Sequence, residues 1–208
     1  HKEFENYIKD NYFCNSILSS SRASISLLAI LRAWKKNGYV AKIALSSNVC
    51  HEVFVSILKA DFIPIFVDLD PSTGKVPITE WKRAKNNGAS VALVVHLYGI
   101  PSDVDEVTEI FDANDNLVID DAAQAIGAKC SEKNCGSMGN VGLLSFGNKK
   151  QISTGGAITL FKDPAFSREV EFQLAIIDKI DFFENNFAIN NFISQFNRGR
   201  KQVREKNN

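Results

Sequence analysis

Three short stretches carry side chains able to do chemistry. In "LSFGNKKQISTGGA", residues 144 to 157, Lys149 and Lys150 stand between a Ser-Phe pair and a glycine pair, with an apolar run following. An amine there is either a solvated surface charge, the usual fate of lysine, or a nucleophile and proton carrier held in its neutral form. In "LVIDDAAQAIGA", Asp120 and Asp121 stand where an apolar run gives out, followed by small residues that let something flat approach the backbone. A carboxylate there must be paired, hydrated or capping a helix, and Asp read by itself favours the cap. In "SSSRAS", residues 19 to 24, a polar cluster precedes a long apolar helix pattern. Free amide N–H groups and the helix dipole suit an anion such as phosphate at that point, and a Ser-rich cap without ligand fits equally well.

The hydrophobic pattern predicts the elements that position these stretches. Ile25, Leu28 and Leu31 recur at helical spacing in "SRASISLLAILRAWKKNG", with Ser20 or Ser21 as cap and Gly38 as stop. A strand "AKIALS", a helix near residues 50 to 60, the apolar run "IPIFVDL", the breaker-rich turn "DPSTGK" and a helix "PITEWKRAKNN" follow. "SVALVVHLY" is a continuous apolar run of the kind buried in parallel sheets. Ser102 opens a capping pattern before "DVDEVTEIFDAN", where Val104, Val107 and Phe111 form one stripe, and "NLVID" comes next. This alternation predicts an α/β protein, a three-layer α/β/α sandwich around a mostly parallel central sheet. Ligands of such sheets collect at the carboxyl ends of the strands, where all three stretches fall.

The 208 residues, 45% apolar with 24 basic against 24 acidic side chains, predict one sizeable core. Zero net charge gives no reason to expect nucleic acid or an anionic membrane as partner. The longest apolar stretches are interrupted and fall short of a bilayer span. With no export signal at the start of the sequence, the expected location is cytoplasmic. Cys14, Cys50, Cys130 and Cys135 lack the paired spacing of a zinc module and are expected to be reduced thiols, with no metal. From residue 164 the pattern turns helix-prone and polar, ending in "RGRKQVREKNN", read as a solvated helix face.

Taken in order, "SSSRASISLLAIL", "IPIFVDLDPSTG", "VHLYGIPSDVDEV", "VIDDAAQAIGAK", "GSMGNVGLLSFGNKK" and "ISTGGAITL" resemble successive blocks of the DegT/DnrJ/EryC1/StrS family of sugar aminotransferases, fold-type-I enzymes dependent on pyridoxal 5′-phosphate. The resemblance runs from about residue 16 to residue 163. It implies residues 1–163 as the cofactor-binding large domain, and 164–208 as a helical extension toward a small C-terminal domain absent from this sequence. The family's Ser-Phe-x-x-x-Lys pattern falls on Ser145, Phe146 and Lys150, implying Lys150 as the Schiff-base lysine and Lys149 as a neighbour pointing elsewhere. Asp121 resembles the carboxylate that pairs with the ring nitrogen, Ala123 the small residue against the ring, and Gln124 the group near the phenolic oxygen. Phosphate anchoring is implied for Ser21, Arg22 and Ser145.

These residue types suit the implied chemistry. The cofactor acts as an electron sink only while its ring nitrogen stays protonated, which needs an ionised partner. Its lysine must reach the neutral amine form, which a position away from bulk water favours.

The sequence departs from the family in several places. Ser21 replaces a Gly, Asp120 replaces a Glu, and the loop after Lys150, which in the family often contacts the partner subunit, is short. In "SSNVCHEVF", where the family commonly supplies an aromatic ring to stack on the cofactor, Cys50 or His51 occupies the region instead, with a solvated His51 as the other reading. His96 reads as a satisfied core histidine.

The implied function is amino transfer from an amino acid to a nucleotide-linked keto sugar, in amino-sugar biosynthesis, by a homodimer. A dehydrating branch of the family has His in the lysine position, and Lys150 argues against it. The alternative is a truncated, non-catalytic cofactor-binding or assembly module of the same fold.

Overall fold

The computed structural model describes residues 2–35, 41–112, 115–148 and 150–177. Its centre is a seven-stranded sheet of β1 (Ser16–Ser20), β2 (Lys42–Ser46), β3 (Ile63–Val67), β4 (Val91–Val95), β5 (Leu117–Asp121), β8 (Val141–Ser145) and β9 (Ala157–Phe161), in the spatial order β1-β9-β8-β5-β4-β2-β3. The pairs β3–β2, β2–β4, β4–β5 and β5–β8 are parallel, and β9 runs antiparallel to both β8 and β1. A two-residue hairpin, β6 (Lys129–Cys130) with β7 (Lys133–Asn134), lies outside the sheet.

The apolar stripes read from the sequence become helices on both faces. One face is covered by α2 (Ala23–Trp34), α3 (His51–Lys59) and a helix α6 over residues 164–177. Leu27, Leu31, Ile57, Val170 and Leu174 pack there against Ile43, Leu93, Ile119 and Leu143. The other face carries α1 (Lys2–Tyr12), α4 (Ile78–Asn86) and α5 (Val104–Ile110). Ile8, Tyr12, Trp81, Val104, Val107 and Phe111 meet Ala92, Val94, Val118 and Leu144. Alternate residues of each strand serve alternate layers, and the expected three-layer sandwich results.

Three local expectations need correction. The N-cap of α2 is Arg22, with no side-chain cap bond, because the Ser20 hydroxyl donates to the Arg22 carbonyl at 2.9 Å and meets Ser26 Oγ at 2.7 Å. α5 starts after Asp103 without a side-chain cap, and the Ser102 hydroxyl donates instead to the Val95 carbonyl. Asp120 and Asp121 are buried within β5 rather than exposed as caps. Gly38, Lys149 and the extension beyond residue 177 lie outside the described residues.

Candidate active site

Side-chain alternation places the site. Asp121 and Ser145 share a sheet face with Val95 and Leu143, since Val95 pairs with Asp121 across β4–β5 and Asp121 with Leu143 across β5–β8. That face looks toward α2, and a cavity of about 670 Å³ opens at the strand ends between sheet and helix. Ser21, Arg22, Asp121, Ala123, Gln124, Ser145 and Lys150 all line it. Sequence reading did not find Ser24, Val49, Val95, Leu97, Leu143 or Asn148, which line it too. Strand parity offers a signal for Leu143, two residues before Ser145. Val95 needs the register between strands, which sequence does not display. His51 is exposed and is not among the lining residues, whereas its neighbours Cys50 and Glu52 are.

Asp121 is 4% exposed, and one of its oxygens accepts the Ala123 N–H at 2.9 Å. Burial drives its pKa above the ordinary carboxylate value, against the opposing pull of the Ala123 N–H and of Lys150. A carboxyl so placed calls for a cationic partner inside the cavity. Gln124 accepts the Tyr98 N–H through Oε1 at 3.0 Å, which fixes the side-chain amide and leaves its NH2 as the donor end. At the opposite wall the first turn of α2, uncapped by any side chain, presents Ala23 and Ser24 to the cavity beside Arg22. This is an anion-binding arrangement.

Lys150 sits in the loop joining β8 to β9. The Phe146 N–H donates to the Gly156 carbonyl at 2.9 Å, and the Gly155 N–H to the Phe146 carbonyl at 2.7 Å. Inside that closure the Lys150 N–H donates to the Gly147 carbonyl, and Ser153 Oγ donates to the Lys150 carbonyl at 2.9 Å. Gln151 Oε1 accepts the Ile126 N–H, tying the loop to the segment that follows Asp121 and Gln124. Gly156 has φ +84°, and a Cβ there would lie 3.2 Å from the Ser20 carbonyl oxygen, so the lysine loop and the approach to α2 pack backbone to backbone.

Behind the sheet, on the face away from the cavity, His96 and Asp120 are fully buried with 2.6 Å between Nε2 and Oδ1. All four cysteines are free thiols. Among the described residues no cluster could hold a metal ion, and no helix is long and apolar enough to cross a membrane.

The sequence profile of the DegT/DnrJ/EryC1/StrS aminotransferase family matches residues 1–182. GDP-perosamine synthase of Escherichia coli O157:H7 is 35% identical over 92 residues, which cover 44% of this chain and 25% of that protein. The chain spans between 24% and 32% of the length of the curated relatives it matches. An aminotransferase structure from Psychrobacter cryohalolentis superposes with a TM-score of 0.74 at 23% identity, over 81% of this chain and 43% of that one. The E. coli GDP-4-keto-6-deoxy-D-mannose-3-dehydratase, solved with bound hydrated PLP, gives 0.70 at 21% identity, over 79% and 44% of the two chains. At these identities the two structures show a shared fold.

Proposed function

Because the chain belongs to the DegT/DnrJ/EryC1/StrS aminotransferase family, we propose that it forms the cofactor-binding large domain of an aminotransferase that moves an amino group from an amino acid to a nucleotide-linked keto sugar. One observation carries this reading: a buried carboxyl, a lysine and an uncapped helix N-terminus line the same cavity. Pyridoxal 5′-phosphate fits those three features. The Ala23 and Ser24 end of α2, with Ser21, Arg22 and the Ser145 hydroxyl, suits its phosphate, and Asp121 suits its ring nitrogen. When bound, the cofactor supplies an aldehyde that condenses with amines and a ring that holds an electron pair.

The protein's own groups do the rest. Asp121, ionised against a cationic nitrogen, would hold the proton there. Ala123 would leave room beside the ring, and the Gln124 NH2 would be the donor available to the phenolic oxygen. Lys150 Nζ, as a neutral amine in the cavity, would take up the proton leaving the donor's α-carbon and would return one to the acceptor sugar in the second half of the cycle. Val95, Leu97 and Leu143 exclude water from that exchange.

The nucleotide-sugar substrate rests on the curated relative named above, a GDP-sugar enzyme. A homodimer is proposed from exposed apolar side chains beside site residues. Tyr98, 76% exposed, follows the cavity residue Leu97, and Ile152, 47% exposed, lies two residues from Lys150. Four free thiols suit a reducing, cytoplasmic setting.

The purified chain, supplied with pyridoxal 5′-phosphate, glutamate and a nucleotide-linked keto sugar, is expected to yield 2-oxoglutarate and the amino sugar by mass spectrometry. Cofactor uptake without transfer would make it a binding or assembly module of the same fold.

A further inference from the structure

A chain of hydrogen bonds, buried except at its part-buried Ser102 end, runs behind the sheet and ends next to Asp121. The Ser102 N–H donates to His96 Nδ1 at 2.8 Å, His96 Nε2 lies 2.6 Å from Asp120 Oδ1, and the Met138 N–H donates to Asp120 Oδ2 at 2.9 Å. The backbone N–H groups at the two ends can only donate, so they fix the polarity of everything between them. Nδ1 must be unprotonated to accept from Ser102. A proton on Asp120 pointing at Nε2 would then leave the imidazole with none, which excludes that arrangement. His96 is therefore neutral with its proton on Nε2, and Asp120 is a carboxylate whose two oxygens both accept.

Burial opposes a charge on His96, whereas the hydrogen bonds and charges of Asp120 and Cys135 favour one. A second proton would sit on Nδ1, which already accepts the Ser102 N–H, and would set donor against donor. The neutral ring is the state the geometry supports.

Asp120 and Asp121 are consecutive in β5, so a fixed anion stands on one side of the strand and the cavity carboxyl on the other. The titratable groups whose charge reaches this pair are Tyr12 of α1, Lys162 after β9, Lys150 on the cavity side and, next to His96, Cys135. His96 also ties the strand ends directly, since its backbone N–H donates to the Asp121 carbonyl at 3.1 Å.

We propose that His96 is a positioning residue that locks Asp120 as an anion behind β5, and that this second carboxylate makes the cavity at Asp121 select a cationic partner. The proposal rests on the function above only for the identity of that cation, the protonated ring nitrogen of the cofactor. Asp120 opposes ionisation of Asp121 in the empty cavity, and it adds to the attraction once a cation is set against Asp121.

The test uses the cofactor-free protein. Its histidine ring nitrogens, followed by 15N NMR near neutral pH, are expected to show His96 neutral with the proton on Nε2; an imidazolium or the Nδ1–H tautomer overturns the proposal and needs no variant. Carboxyl 13C NMR, with Asp121→Asn to assign the signal, then follows the Asp121 midpoint. Asp120→Asn is expected to lower it by about one pH unit. His96→Gln, which keeps an N–H donor for Asp120, retains the wild-type value, whereas His96→Leu lowers it by favouring protonated Asp120. An unchanged midpoint in folded Asp120→Asn, or equal midpoints in the two His96 variants, overturns the proposal. Uptake of pyridoxal 5′-phosphate by the wild-type protein, read by absorbance, tests the proposed function separately and leaves the NMR result standing if it fails.

Discussion

At Asp121 a carboxyl has left water for a cavity wall where one N–H and the nearby Lys150 only partly offset its burial. The sign of its effect on stability follows from the direction of that shift. In the cofactor-free protein the folded state keeps a proton that the unfolded chain gives up in the ordinary carboxylate range. The stability this represents is fully present below that range and is lost as pH rises through the raised folded value. Thermal melts of the cofactor-free protein between about pH 4 and pH 8 are expected to show that decline in the wild type, and Asp121→Asn is expected to remove it. The same substitution is expected to lower amino transfer by about 100-fold or more, measured as initial rate with saturating cofactor. Asp121, Gln124, Ser145 and Lys150 were legible because each lies at a fixed offset inside a contiguous motif. The cavity-facing side chain of the 46–54 stretch was not, because the turn into α3 decides it: Cys50 and Val49 reach the cavity and His51 turns to solvent.

The elements that carry these groups are held by close backbone approaches. Gly142 lies under the Gly136 carbonyl, and a Cβ there would come within 1.8 Å of that oxygen. Gly142→Ala is therefore expected to cost about 3 kcal/mol in chemical denaturation, or to prevent folding. Gly156→Ala combines a left-handed φ with a 3.2 Å contact to the Ser20 carbonyl, and it is expected to weaken cofactor affinity more than stability because it moves the lysine loop against α2. Helices with a clear apolar stripe and the continuous runs of β4 and β5 could be read directly. α1 and the antiparallel β1–β9 edge went unread: "SILSS" is short and polar, and its partner strand is 141 residues away, as the Ser16 to Ala157 separation shows. The missing cap on α2 was also hidden, since sequence shows three adjacent serines but not which carbonyl each hydroxyl finds.

Across the molecule, two apolar layers and one mostly parallel sheet bring together groups from β5, from the loop after β8 and from the start of α2. The strand–helix rhythm made this architecture legible, whereas the packing of α6 onto the α2 face, through Val170, Leu174 and Ile177, was hidden in a polar-looking stretch. With Tyr98 and Ile152 exposed beside the site, light scattering on the purified protein is expected to give the mass of a dimer, and Ile152→Asp is expected to shift it toward the monomer. The most direct measurement remains covalent. The protein is incubated with pyridoxal 5′-phosphate and reduced with borohydride, and the modified peptide is located by mass spectrometry. A stable adduct on Lys150 is the predicted result. An adduct on Lys149, or none, would contradict the assignment of this cavity as the active site.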